Sequence, residues 1–131
     1  MKRAFFAVTL CFAATTALAD NATGTWKTEA GDTGGYLHVS IAKCGAALCG
    51  TIAKAFEKGG AASNTYEHLG KKMIWDMQAD GNNSYSGGKI WAPDKDKTYK
   101  SKMSLNGNSL TVKGCVAGGA ICRGQTWSRV N

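Results

Sequence analysis

An all-β fold, an antiparallel up-and-down barrel of eight short strands, is predicted by three observations. Glycine is abundant, 17 of 131 residues, while proline occurs once. No stretch sustains an apolar period of 3.6 residues. Short alternating segments recur instead, separated by turn residues, which is the pattern of a sandwich or a barrel. Closing an antiparallel meander removes both unpaired edges; a two-sheet sandwich is the competing arrangement.

The first strand lies around Thr25-Trp26-Lys27-Thr28 and ends in the glycine-rich stretch 31–35. The second, Tyr36 to Ala42, puts Leu37, Val39 and Ile41 on one face and His38 and Ser40 on the other. The third runs from Leu48 to Phe56, after the turn Cys44-Gly45-Ala46-Ala47. Residues 57–70 form the longest non-periodic stretch and read as loop. The fourth strand, Lys72 to Met77, is expected to hold Met73, Trp75 and Met77 in one register. Asp80-Gly81-Asn82-Asn83 turns the chain into a fifth strand, Tyr85 to Trp91. Pro93-Asp94-Lys95-Asp96 leads to the sixth, Thr98 to Leu105, where Tyr99 and Ser101 share the face of Met103 and Leu105. Asn106-Gly107-Asn108 is a hairpin signal. The last strands are Leu110 to Cys115 and Ile121 to Val130.

Residues 1–19 have the three parts of a secretory signal: Lys2-Arg3, an apolar run from Ala4 to Ala14, and Ala17-Leu18-Ala19. The run is shorter than the ~20 apolar residues that span a bilayer, so a cleaved signal is expected rather than an anchor. The expected mature chain is one domain, residues 20–131, in the periplasm or secreted, monomeric and without a transmembrane segment. Loss of Lys2 and Arg3 takes the net charge from +7 to +5. The lysines read as spread through Lys27, Lys43, Lys54, Lys71, Lys89 and Lys113. Weak attraction to anionic surfaces is allowed by that spread, and dedicated nucleic-acid binding is not expected.

Cys11 leaves with the signal, and Cys44, Cys49, Cys115 and Cys122 remain, an even number for an oxidising compartment. Four cysteines permit three pairings. Strand parity turns all four away from the core and sets Cys44 across one hairpin from Cys49, and Cys115 across another from Cys122. Those two bridges are therefore expected; a four-cysteine zinc site needs thiolates converging from two separate hairpins.

In order, Gly24-Thr25-Trp26, the segment 44–50 (CGAALCG), Gly87-Gly88-Lys89-Ile90, Lys97-Thr98-Tyr99 and the segment 125–130 (QTWSRV) resemble a bacterial exported family known as domain of unknown function 2147. The similarity covers nearly all of the mature chain. It departs at Ala92-Pro93, where Asp-Pro is common, and at Lys113-Gly114, where an arginine often precedes the glycine. The resemblance implies a lipocalin-like barrel. In such barrels a Gly-x-Trp on the first strand packs beside an arginine of the last, and Trp26 and Arg129 occupy comparable places, a cation on an aromatic face.

Catalysis needs a nucleophile or an acid–base pair with a tuning partner. The two histidines, His38 and His68, read as surface residues, and nothing activates Ser63 in a paper triad with His68 and Asp76. No enzyme activity, cofactor or metal is expected. The polar residues that share the core register are more informative, because an arginine in a dry core is prohibitively costly. Tyr99, Arg123 and Gln125, with Trp75 as an apolar wall, are the candidate pocket. The competing reading makes them a hydrogen-bond network inside a filled barrel. Four tryptophans, Trp26, Trp75, Trp91 and Trp127, also suggest a sugar-stacking platform; their spread over separate strands argues for core, with Trp91 the best candidate for exposure. The expected function is non-catalytic binding of a small apolar or amphipathic molecule or an envelope component. The alternative is an interaction protein presenting its loops, chiefly 57–70, to a partner.

Overall fold

In the computed structural model, which describes residues 22–130, eight strands form one closed antiparallel barrel in chain order. They are β1 (Gly24–Lys27), β2 (Tyr36–Cys44), β3 (Ala47–Phe56), β4 (Lys72–Gly81), β5 (Ser84–Ala92), β6 (Lys97–Asn106), β7 (Ser109–Val116) and β8 (Ile121–Arg129). Trp26 opposite Arg129 and Lys27 opposite Ser128 close the ring. The expected signal 1–19 lies outside the described residues.

Turn chemistry explains the joints. Asn82 and Asn83 both adopt left-handed φ, 55° and 63°, as a two-residue hairpin matched to strand twist requires. Both expected disulfides are present. Cys115 lies directly opposite Cys122, Cα–Cα 4.0 Å, while Cys44–Cys49 crosses its hairpin diagonally at 5.6 Å.

One end of the barrel is solid. Trp26, Trp127, Ile41, Ile52, Ile74, Met77, Leu110 and Val39 are its largest fully buried side chains. The chain before β1 plugs this end: the Trp26 indole donates to the Ala22 carbonyl (2.9 Å), and the Ala22 amide donates to the Tyr85 hydroxyl (3.3 Å). The Arg129 guanidinium lies on the Trp26 ring, 4.4 Å from its centroid. It also donates to the Thr23 carbonyl (3.0 Å) and to Asn108 Oδ1 (3.2 Å).

Two bulged strands correct the expected registers. In β4, Ile74 faces Gly50 and Met77 faces Leu48, so Trp75 and Asp76 together oppose Cys49. Asp76 takes a left-handed φ of 57° to accommodate the extra residue. The core face is therefore Ile74 and Met77, and Trp75 turns outward, half-buried, opposite Lys89. A second bulge, at 86–87 in β5, shifts parity so that Ile90 faces inward and Trp91 does not.

The seam between β1 and β8 is short. β1 ends at Lys27 while β8 runs back to Ile121. Beyond the seam, the Thr126 amide donates to a carboxylate oxygen of Glu29 (2.7 Å) where a neighbouring strand would otherwise accept.

The segment 57–70 is not a free loop. Gly70 donates to the Ile52 carbonyl, Ile52 to the Lys71 carbonyl, and Ser63 to the Ala55 carbonyl. It folds back and covers Trp91, which is 8 % exposed rather than the most accessible tryptophan. His68 meets the Trp91 ring edge-on at 4.9 Å, Lys71 sits 4.3 Å from its centroid, and the indole N–H donates to Asp96 (2.9 Å).

Candidate functional site

The other end of the barrel is open. A cavity of about 1510 Å³ descends from the β1–β2, β3–β4, β5–β6 and β7–β8 connections toward Trp127, which is both its floor and the roof of the solid core. Leu37, Ala55, Met73, Ile90 and Val112 supply apolar wall from five strands. Leu37 and Val112 reach the interior by strand alternation, and Ala55, Met73 and Ile90 through bulges, that of Ala55 lying opposite the His38–Val39 step. The sequence-predicted choice between an open and a filled barrel therefore resolves by depth: one half is filled and the other is a cup.

Tyr99, Arg123 and Gln125 all line this cup, and Trp75 does not. The bulge at 75–76 removes Trp75, and Ile90 and Met73 form the apolar wall instead. The signals for these missed residues were the Gly87-Gly88 pair, a common mark of a bulge, and the polar Asp76 in the middle of an apolar segment. Gly114 is a further missed participant. It stands opposite Arg123, and a Cβ placed there would lie 3.4 Å from Tyr99 Cβ and 3.5 Å from Ile90 Cγ2. Its missing side chain leaves the space between Tyr99 and Arg123 open.

The three polar residues differ in how they are satisfied. Gln125 Oε1 accepts the Trp127 indole N–H at 2.7 Å, which ties it to the floor. Among the described residues, neither the Tyr99 hydroxyl nor the Arg123 guanidinium has a hydrogen bond or ion pair. Both lie one inward step below the rim. The acidic side chains along the cavity, Glu29, Asp32, Glu57, Glu67 and Asp94, stand on its rim connections.

No hydrogen bond joins Ser63, His68 and Asp76 among the described residues; His68 pairs with Glu67 at 3.6 Å and packs on Tyr66. Burial pushes the Tyr66 phenol above its ordinary pKa, and Glu67 and Asp94 add to the effect. His38 is half-buried against Phe56, ring centroids 4.5 Å apart, rather than fully exposed. Desolvation holds its pKa below 6.5, with Lys54 and then Lys27 pushing the same way. With Trp26, Trp91 and Trp127 buried, the tryptophans build no exposed stacking platform.

A closed eight-stranded antiparallel barrel, plugged at one end by an arginine-capped tryptophan and hollow at the other, defines a lipocalin-like protein. Over residues 24–129 the chain matches the family described as "Uncharacterized protein conserved in bacteria (DUF2147)", and it belongs to that family. The solved structure described as "Protein HP1028 from the human pathogen Helicobacter pylori belongs to the lipocalin family" is similar in fold. Its TM-score is 0.64 at 18 % identity, covering 83 % of this chain and 82 % of that one. No match was found among the curated proteins.

Proposed function

We propose that this protein is an exported, non-catalytic binder of a small amphipathic molecule, held with its apolar part in the cup and its polar end level with Tyr99 and Arg123. The observation that carries the reading is the pairing of an apolar-walled cavity with two donors that have no protein partner among the described residues, the half-buried Tyr99 and the exposed Arg123. Ligand sites are concave, mainly apolar, and oriented by a few polar groups, and this cup has that composition. The depth order supports a direction of entry, because Trp127 and Val112 lie below Arg123 on the paired strands β7 and β8. Two disulfides are compatible with an oxidising compartment.

Native mass spectrometry of the protein isolated from its own cells, together with displacement of the amphipathic dye anilinonaphthalene sulfonate, tests the reading. A co-purifying small mass, or saturable dye binding lost in Arg123→Ala with unchanged melting, is the expected result. A bare polypeptide that binds no dye sinks it.

A further inference from the structure

Read along the chain, the lysines are dispersed; the barrel register gathers four of them. Lys89 stands directly opposite Lys100, and Lys102 directly opposite Lys113. All four belong to the outer face of β5–β6–β7: Ile90, Ser101, Met103 and Val112, their neighbours in sequence, face inward. Lys89, Lys100 and Lys102 are exposed, and the stem of Lys113 lies across Gly124, whose absent Cβ would meet it at 3.3 Å. None of the four has a carboxylate partner among the described residues. β5, β6, β7 and β8 contain no Asp or Glu, and the acids of the adjoining strand β4 are Asp76 and Asp80.

This arrangement works against the fold. Side chains directly opposite one another in an antiparallel pair have Cβ atoms about 4.5–5.5 Å apart, and like charges there are destabilising. Two such pairs side by side, with no acid on their own strands, concentrate four ammonium groups on one wall. A charge cluster that opposes folding is explained by an anionic partner outside the barrel.

We infer that the β5–β7 wall is a docking face for the anionic headgroups of a lipid bilayer. Three features favour a lipid surface over a nucleic acid. The patch is entirely lysine, a point charge suited to a diffuse field of headgroups, with none of the planar forks by which arginine grips a phosphate in fixed geometry. It lies on a convex barrel wall, whereas single-stranded nucleic acids are held in grooves with exposed stacking aromatics. Of the aromatics on that side, Trp91 is covered by the segment 57–70, while Trp75, opposite Lys89, is half-buried. An indole with an apolar body and a polar N–H suits the headgroup level of a membrane. The face is separate from the cup, so this inference stands or falls without the ligand reading.

Co-sedimentation of residues 20–131, which carry the whole barrel, with phosphatidylcholine vesicles tests it. The vesicles are compared with and without about 30 % phosphatidylglycerol, enough anionic lipid to set up a negative surface potential. Binding is expected only to the anionic vesicles and should weaken as salt rises through about 0.1 M, where the Debye length falls to about 10 Å. Each lysine near such a surface contributes enough that Lys102→Gln weakens binding about fivefold. Replacing Lys89, Lys100, Lys102 and Lys113 together by Gln abolishes it without lowering the melting temperature. Lys27→Gln with Lys54→Gln, on the β1–β3 wall, is the net-charge control for Lys100→Gln with Lys102→Gln, each pair removing two charges. Equal losses in the two double variants, or full binding by the quadruple variant, overturn the inference. So does capture by heparin or DNA at about 0.15 M salt with none by vesicles, which would assign the face to a soluble polyanion.

Discussion

β8 carries two arginines on its inner face, Arg123 and Arg129, one toward each end of the barrel. Their surroundings are opposite. Arg129 is committed: its guanidinium lies on Trp26 and donates to Thr23 and Asn108, joining the chain start, a hairpin and the last strand. Arg123 faces a cup and has no protein partner among the described residues. One strand thus carries a structural arginine and an available one. The difference lies in whether the barrel end that each occupies is plugged. An arginine's role in this fold follows from its depth and end, not from its register alone.

The comparison breaks most decisively at the plug. Trp26→Ala empties the largest buried side chain at the closed end and should destabilise by about 3–5 kcal/mol, read as a large fall in the denaturation midpoint. Arg129→Ala should cost about 1–2 kcal/mol through its lost aromatic face and charged hydrogen bonds. At the cup the sign of the comparison reverses. Arg123→Ala should leave stability within about 0.5 kcal/mol while abolishing dye binding; a stability loss as large as that of Arg129→Ala would show that Arg123 belongs to the frame. Gly114→Ala places a methyl group at ordinary contact distance from Tyr99 and Ile90. It should fold normally and weaken dye binding several-fold by narrowing the gap between the two donors.

The smallest effect belongs to neither end. On the outer wall, the folded state holds the His38 pKa below the usual 6.5. The unfolded chain therefore takes up the proton first as pH falls below 6.5, and stability declines from there down to the folded-state pKa. His38→Gln should remove that decline from a series of denaturation midpoints across mildly acidic pH.

Much of this was legible in the sequence. Alternation placed Leu37, Val39 and Ile41 inward, and the same parity paired the four cysteines. It also set Tyr99, Arg123 and Gln125 on the interior face, because β6, β7 and β8 are paired without a slip. What failed has a common cause. A bulge inserts one residue and reverses every side chain beyond it, so Trp75 left the interior and Ile90 entered it. Cross-strand neighbours are equally hidden from a linear reading. Lys102 and Lys113 stand eleven positions apart in the chain and opposite one another in the sheet. The burial of Trp91 depends on where a non-periodic segment folds back, which no local pattern encodes.

The carboxylate of Glu29 stands in for a strand beside Thr126, so at this joint of the wall a side-chain acceptor replaces a main-chain one. Along β5, β6, β7 and β8, changing the bore means breaking ladders of main-chain bonds. At this joint the wall can part by releasing one side-chain acceptor, which water replaces readily. The wall beside Thr126 is therefore held by one side-chain contact, where β6, β7 and β8 are held to one another by main-chain pairs. Glu29→Gln should weaken this one contact and leave the paired strands intact, read as faster hydrogen exchange at the Thr126 amide with an unchanged fold.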